Sequence, residues 1–202
     1  MSNANPRIPS QDGEPAWEAA YLLPLQGRWS EEDFLKFHST QMAELTNGRL
    51  EILPMPNLKH QRLLKMMLRL LEAAAPPQSL VLFAPLPTKL FPGTIREPDL
   101  LYISQDNLPP PDAEYPSKID LAMEIVSDGT EARKRDYEDK RLDYAKAGVA
   151  EYWIVDPLDQ AVTVLALAGK QYIEHGRFVS GETASGKLLS NLMVDVAALM
   201  QA

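Results

Sequence analysis

The sequence predicts an α/β or α+β domain in which helices pack on a β-sheet. Three observations predict it. Two stretches carry the apolar period of a helix, short apolar or alternating segments suited to strands lie between and after them, and turn signals punctuate most junctions. At 202 residues the chain suits one domain with a sizeable core.

Residues 1–28 are polar, proline-rich and unpatterned, which reads as a flexible N-terminal arm; residues 29–202 then form the single folded domain. Ser30 before Glu31, Glu32 and Asp33 makes a helix cap with acids in the first turn, and Phe34, Leu35 and Phe37 follow. Asn47-Gly48 predicts a tight turn between two short strands, the second over 49–53 and ended by Pro54 and Pro56. Over 58–75, His60, Leu64, Met67 and Leu71 fall on one face of an amphipathic helix that Pro76-Pro77 stops. Strands are predicted over 81–84, 88–91, 99–103 and 119–126, with a proline-rich loop over 105–117. A helix over 131–147 ends at Gly148, a C-terminal cap. Pro157-Leu158-Asp159 is a turn between strands 152–156 and 161–167. Residues 170–175 and the segment after Gly176 read as a hairpin, and a short helix over 194–200 closes the chain.

Composition narrows the chemistry. The absence of cysteine excludes disulfides, thiolate zinc sites and a cysteine nucleophile. The three histidines, His38, His60 and His175, are scattered, so a hard-cation site built from carboxylates suits the chain better than a histidine cage. A net charge of −8 and a pI near 4.9 argue against coating nucleic acid by bulk charge, but they leave room for a local basic patch. No apolar run approaches the roughly 20 residues that span a bilayer, and the N-terminus lacks the pattern of a signal peptide, so no membrane association and a cytoplasmic location are expected. Glycine-rich phosphate loops, a G-x-S-x-G elbow and zinc-finger spacings are absent.

Several residues are candidates for chemistry, each with a plainer alternative. Asp99, in Arg96-Glu97-Pro98-Asp99-Leu100, opens an apolar strand behind a rigid proline; it is either a held site acid or a turn acid. Glu124 shares a strand face with Asp120, Ala122 and Val126 in an otherwise apolar segment. A buried carboxylate there needs a cation or a metal, whereas an edge strand would leave it in solvent. Arg133, Tyr137, Lys140 and Tyr144 form a helical stripe that either aims Lys140 inward or lets it snorkel to solvent. His60 is either a ligand or a satisfied core histidine. Glu51 is either a site acid or an exposed strand residue, and Tyr152-Trp153 reads as core.

The run from Asn47 to about Leu199 resembles the Uma-two family of restriction-endonuclease-like proteins. The matching stretches are Asn47-Gly48-Arg49-Leu50-Glu51, Arg96-Glu97-Pro98-Asp99, Met123-Glu124-Ile125-Val126-Ser127, Arg135-Asp136-Tyr137 with Lys140, Tyr144-Ala145, and the long run 147–157. The resemblance implies a restriction-endonuclease-like core of the PD-(D/E)XK kind, a central mixed β-sheet flanked by helices. It implies Asp99 and Glu124 as catalytic acids that hold Mg²⁺ (or Mn²⁺), with Glu51 matching a recurrent acid of less clear role. The lysine expected two residues after the second acid is Val126 here, and the resemblance points to Lys140 on the following helix as its replacement. The implied activity is metal-dependent endonucleolytic hydrolysis of nucleic acid, by a chain expected to be a homodimer. Two rivals stay open: a catalytically silent nuclease-fold binding or regulatory module, and an assembly protein that dimerises through Tyr152, Trp153 and the helix from Leu58.

Overall fold

The computed structural model describes residues 23–37 and 41–202. Most of the predicted arm, residues 1–22, and His38 lie outside the described residues. The last residues of that arm are tied to the fold. The Gly27 N–H donates to the Gly48 carbonyl at 2.7 Å, as does that of Trp29, the first residue of the domain, at 3.0 Å, and the Gln26 amide brackets the backbone of Leu50. Helix α1 (Glu31–Lys36) begins as expected: Ser30 and Asp33 form a reciprocal capping box.

Two sheets organise the chain. The hairpin β1 (Ala43–Thr46) and β2 (Arg49–Ile52) turns at Asn47 and Gly48, both at positive φ, 49° and 74°. With β4 (Thr88–Phe91) and β5 (Thr94–Arg96) it forms a small antiparallel sheet in the order β2-β1-β5-β4. Trp29, Phe34, Leu45 and Ile95 make its core. The larger sheet joins β3 (Leu80–Phe83), β6 (Leu100–Ile103), β7 (Leu121–Ile125), β8 (Glu151–Asp156), β9 (Ala161–Ala168) and β10 (Gln171–Val179) in the order β10-β9-β8-β7-β6-β3. Its one parallel pair is β7–β8. The crossover between them is helical: α3 (Thr130–Lys134), a π turn (Arg135–Asp139) and α4 (Lys140–Ala147), closed by Gly148 at φ 80°.

This is a central mixed sheet flanked by helices. On one face α2 (Leu58–Ala74) and α5 (Val196–Met200) bury Leu63, Met67, Leu71 and Leu199 against Met123 and Trp153. On the other, Tyr144 and Ala145 of α4 cover Ala122, Tyr152 and Ile154. Covering both faces explains why β7 and β8 are buried at every position. A further two-stranded ladder joins β11 (Thr183–Ser185) and β12 (Met193–Asp195).

Three expectations are corrected. Gly176 does not turn a hairpin: it sits at a bulge within the single strand β10, where an added Cβ would come 2.5 Å from the Phe178 ring. Tyr152 and Trp153 are fully buried within one chain, so neither can form a dimer interface. The final helix starts at Val196, and β5, β11 and β12 went unforeseen because three-residue strands carry almost no periodic signal. Among the described residues no helix is long and apolar enough to cross a membrane.

Candidate active site

The segment Glu97-Pro98-Asp99 links the two sheets, since β5 ends at Arg96 in the small one and β6 begins at Leu100 in the large one. Leu100 pairs with Met123 across the β6–β7 ladder. One step back, the same register sets Asp99 opposite Glu124. The Ile125 N–H donates to Asp99 Oδ2 at 2.7 Å, and His60 Nε2 from the first turn of α2 lies 3.2 Å from the same oxygen. Glu124 is buried in the middle of a covered sheet, which settles its position against an edge strand in solvent. Its Oε1 accepts from the Tyr144 hydroxyl at 2.6 Å and lies 2.8 Å from Lys140 Nζ. The second oxygen of each carboxyl has no hydrogen-bond partner among the described residues.

Lys140 points inward. Its ammonium lies between Glu124 and Glu44 Oε1, the latter at 3.0 Å, with Asp136 at 3.9 Å. The π turn makes this possible. Its wider coil brings Arg135, Asp136 and Lys140 all to the interior, and the Tyr152 hydroxyl donates to the Asp136 carbonyl within it at 2.8 Å. The ammonium of Lys140 thus reaches Glu124 where Val126 carries none; Val126 itself packs in the apolar layer under α4.

Glu44 is a central member that the sequence reading missed. It sits on β1 directly opposite Glu51 and is fully buried. It takes Arg96 Nη1 at 2.7 Å, the Glu97 N–H at 3.1 Å and Lys140. Glu51, the acid singled out instead, is half-exposed and pairs with Arg135 at 3.2 Å, away from the cavity between Asp99 and Glu124. Arg96 also grips Asp143 on α4 at 2.6 Å, which locks the small sheet to the helix. The sequence did offer one clue to Glu44: an acid between Ala43 and Leu45, just ahead of the Asn-Gly turn.

The buried cluster holds five carboxyl groups, Glu44, Glu97, Asp99, Glu124 and Asp136, against three permanent cations, Arg96, Arg135 and Lys140. The imbalance appears in the acidities. Burial, together with the neighbouring acids Asp99, Asp136 and Glu44, lifts Glu124 above the ordinary carboxylate range despite Lys140. Burial and Glu44 push Glu97 up to about 7, and its Oε2 is buried without a partner. Burial also raises Asp136, against the pull of Lys140 and Arg135. Burial opposes charge on Glu44 too, but Lys140 and Arg96 overcome it and hold its carboxyl well below the usual range. His60 loses solvation, yet Asp99 beside it keeps its imidazole above the ordinary value.

A cavity of about 30 Å³ opens between Asp99, Glu124, Glu97, His60 and Lys140. It has room for a small ion or a water or two. Among the described residues no group of three or more histidines or carboxylates is placed to hold a metal ion. Asp99 and Glu124 alone supply two carboxylates, the share that Mg²⁺ takes from protein when waters complete its shell. The excess of buried acid and the two unpartnered carboxyl oxygens fit a dication as well.

No curated protein matches the sequence. A solved structure from Anabaena variabilis ATCC 29413, described as a putative nuclease belonging to DUF820, shares the fold at a TM-score of 0.68, with 19% identity over 88% of this chain and 98% of that one. The architecture, a central mixed sheet flanked by helices, is therefore shared with that structure. The family model described as "Uma2: Putative restriction endonuclease" matches residues 31–197, and the chain belongs to that family.

Proposed function

We propose that this chain is a divalent-cation-dependent endonuclease that hydrolyses phosphodiester bonds in nucleic acid. The observation that carries the reading is the juxtaposition of Asp99 and Glu124 across β6 and β7, with the Lys140 ammonium 2.8 Å from Glu124. Asp99 and Glu124 would hold Mg²⁺ or Mn²⁺ through their unpartnered oxygens, next to the Ile125 carbonyl. A cation there lowers the pKa of a bound water and offsets charge on the phosphate.

The chain's own groups divide the remaining work. The Ile125 N–H and His60 fix the Asp99 carboxyl, and Tyr144 and Lys140 fix that of Glu124. Two acids held this way meet the ion without rearranging. Lys140 keeps its proton, because Glu124 and Glu44 outweigh the cost of its burial. It therefore serves as a fixed positive charge and not as a base. It orients the attacking water and steadies the charge that builds on the phosphate oxygens.

A plasmid nicking assay with Mg²⁺ or Mn²⁺ tests the assignment. Wild-type protein should convert supercoiled to open-circular DNA, and Asp99→Ala should lower the rate by at least about 100-fold, the scale of losing a group that stabilises the transition state. Full cleavage by Asp99→Ala would sink the assignment. No cleavage by wild type on plasmid, single-stranded DNA or RNA would favour the silent binding module.

A further inference from the structure

The chain carries a net charge of −8, yet α2 runs the other way. Its exposed residues include Lys59, Arg62, Lys65 and Arg69, and its one acid is Glu72. At 100° per residue these four cations cluster on the side opposite the buried Leu63, Leu64, Met67 and Leu71. Lys36, Arg133 and Arg177 are paired, while among the described residues Lys118, Lys134, Lys170 and Lys187 also stand without an ion pair, so what sets α2 apart is that its cations share one helix face. Among the described residues none of the four on α2 has a carboxylate within ion-pair distance. They form a ridge about 15 Å long, from the ten steps between Lys59 and Arg69 at about 1.5 Å each.

The ridge leads to the candidate site. Lys59, its first member, lines a second cavity of about 190 Å³ with Met55, Asn57, Ser127 and Leu158. This cavity shares His60, Ile125 and Ser127 with the small one between Asp99 and Glu124. The small cavity takes an ion but not a nucleotide; the larger one has the space, with exposed apolar side chains in Met55 and Leu158 on which a base can rest.

We infer that the outer face of α2 is the track for a nucleic-acid backbone, which delivers the strand past Lys59 to Asp99 and Glu124. The inference rests on the nuclease reading above and names the surface that its substrate occupies. Four unpaired cations complement a phosphate backbone, and about 15 Å matches roughly four phosphate steps at about 3.4 Å each along one strand of a duplex. It also explains how an acidic protein engages an anionic polymer: through one local stripe.

Fluorescence anisotropy of the full chain in EDTA, with a short labelled single strand and its matching duplex between about 50 and 200 mM salt, tests the track. Four displaced counterions predict a slope of log K against log salt of about −2.8 for the single strand and about −3.6 for the duplex. Arg62→Glu/Lys65→Glu/Arg69→Glu leaves only Lys59, so the slope should fall to about −0.7 or −0.9, with at least about 100-fold weaker binding at low salt. The neutral Arg62→Gln/Lys65→Gln/Arg69→Gln variant should show the same flattened slope without added repulsion. Lys118→Glu/Lys187→Glu, elsewhere on the surface, should keep the wild-type slope. Wild-type slope and affinity in a folded Gln variant would overturn the track, as would binding to anionic phospholipid vesicles with none to either DNA. A wild type that binds with the predicted slope but never cleaves would leave the track standing and remove the nuclease reading. Cleavage by a variant that binds as wild type would do the reverse.

Discussion

Two glutamates share one lysine and are pulled in opposite directions. Glu44 has Arg96, Lys140 and a backbone N–H, so its charge is compensated in spite of full burial. Glu124 has only its share of Lys140 and the Tyr144 hydroxyl, with Asp99, Asp136 and Glu44 nearby. Glu44 is thus a structural anion, and Glu124 is an acid held where its charge is unwelcome. The lowered pKa of Glu44 means that its contribution to stability is present above its ordinary value of 4.5 and is lost as pH falls toward about 2. Glu44→Gln should therefore destabilise the protein by about 3–5 kcal/mol near neutral pH, the range for breaking a buried ion pair. Urea unfolding across pH should show the difference from wild type shrinking at the acid end. A difference constant in pH would contradict the role. Glu44 was hidden from sequence reasoning because its burial arises from the packing of β1 against β5 and α4, not from any local pattern. Glu124 was legible because an acid in an apolar strand stands out alone. Asp99 needed the family resemblance, since a turn acid before a strand is commonplace.

Elements were legible where a local rule fixed them. The Ser30 cap, the Asn47-Gly48 hairpin, the α2 stripe, the Gly148 stop and the turn after Asp156 are each set by a few adjacent residues. Gly176 misled for a local reason as well: glycine marks both turns and bulges, and only the ladder to β9 tells them apart. The hairpin matters to function because it carries Glu44. Gly48 has φ 74°, and a Cβ there would meet the Gly27 carbonyl oxygen at 2.8 Å, a backbone atom that cannot swing aside. Gly48→Ala should cost at least about 1–2 kcal/mol, the left-handed penalty alone. Differential scanning calorimetry checks it, and an unchanged Tm would show that the turn relaxes freely. The π turn is the element that no sequence rule foretold, and it is what brings Arg135, Asp136 and Lys140 inward together.

At the scale of the whole molecule, the two sheets meet at Glu97-Pro98-Asp99, so the site is the seam of the fold. The buried acids at this seam set a pH signature. Glu97, raised from 4.5 to about 7, binds its proton more tightly in the folded protein than in the unfolded chain, and Glu124 is shifted the same way. Without metal, stability therefore falls as pH climbs from about 4.5 through about 7. A cation at the proposed site competes with those protons, so added Mg²⁺ should raise Tm more on the alkaline side. At 100 times Kd the gain is about 2.7 kcal/mol, or roughly 5–10 °C for a chain of this size. Equal shifts at all pH values would place the ion elsewhere.

The central claim is that Glu124 serves chemistry at the expense of stability, and Glu124→Gln separates the two in one sample. Tm without metal and Mg²⁺-dependent nicking of plasmid are measured together. Tm should lie at or above that of wild type, because a raised acid has been neutralised, with cleavage reduced by at least about 100-fold. A variant that nicks DNA at the wild-type rate would contradict the claim.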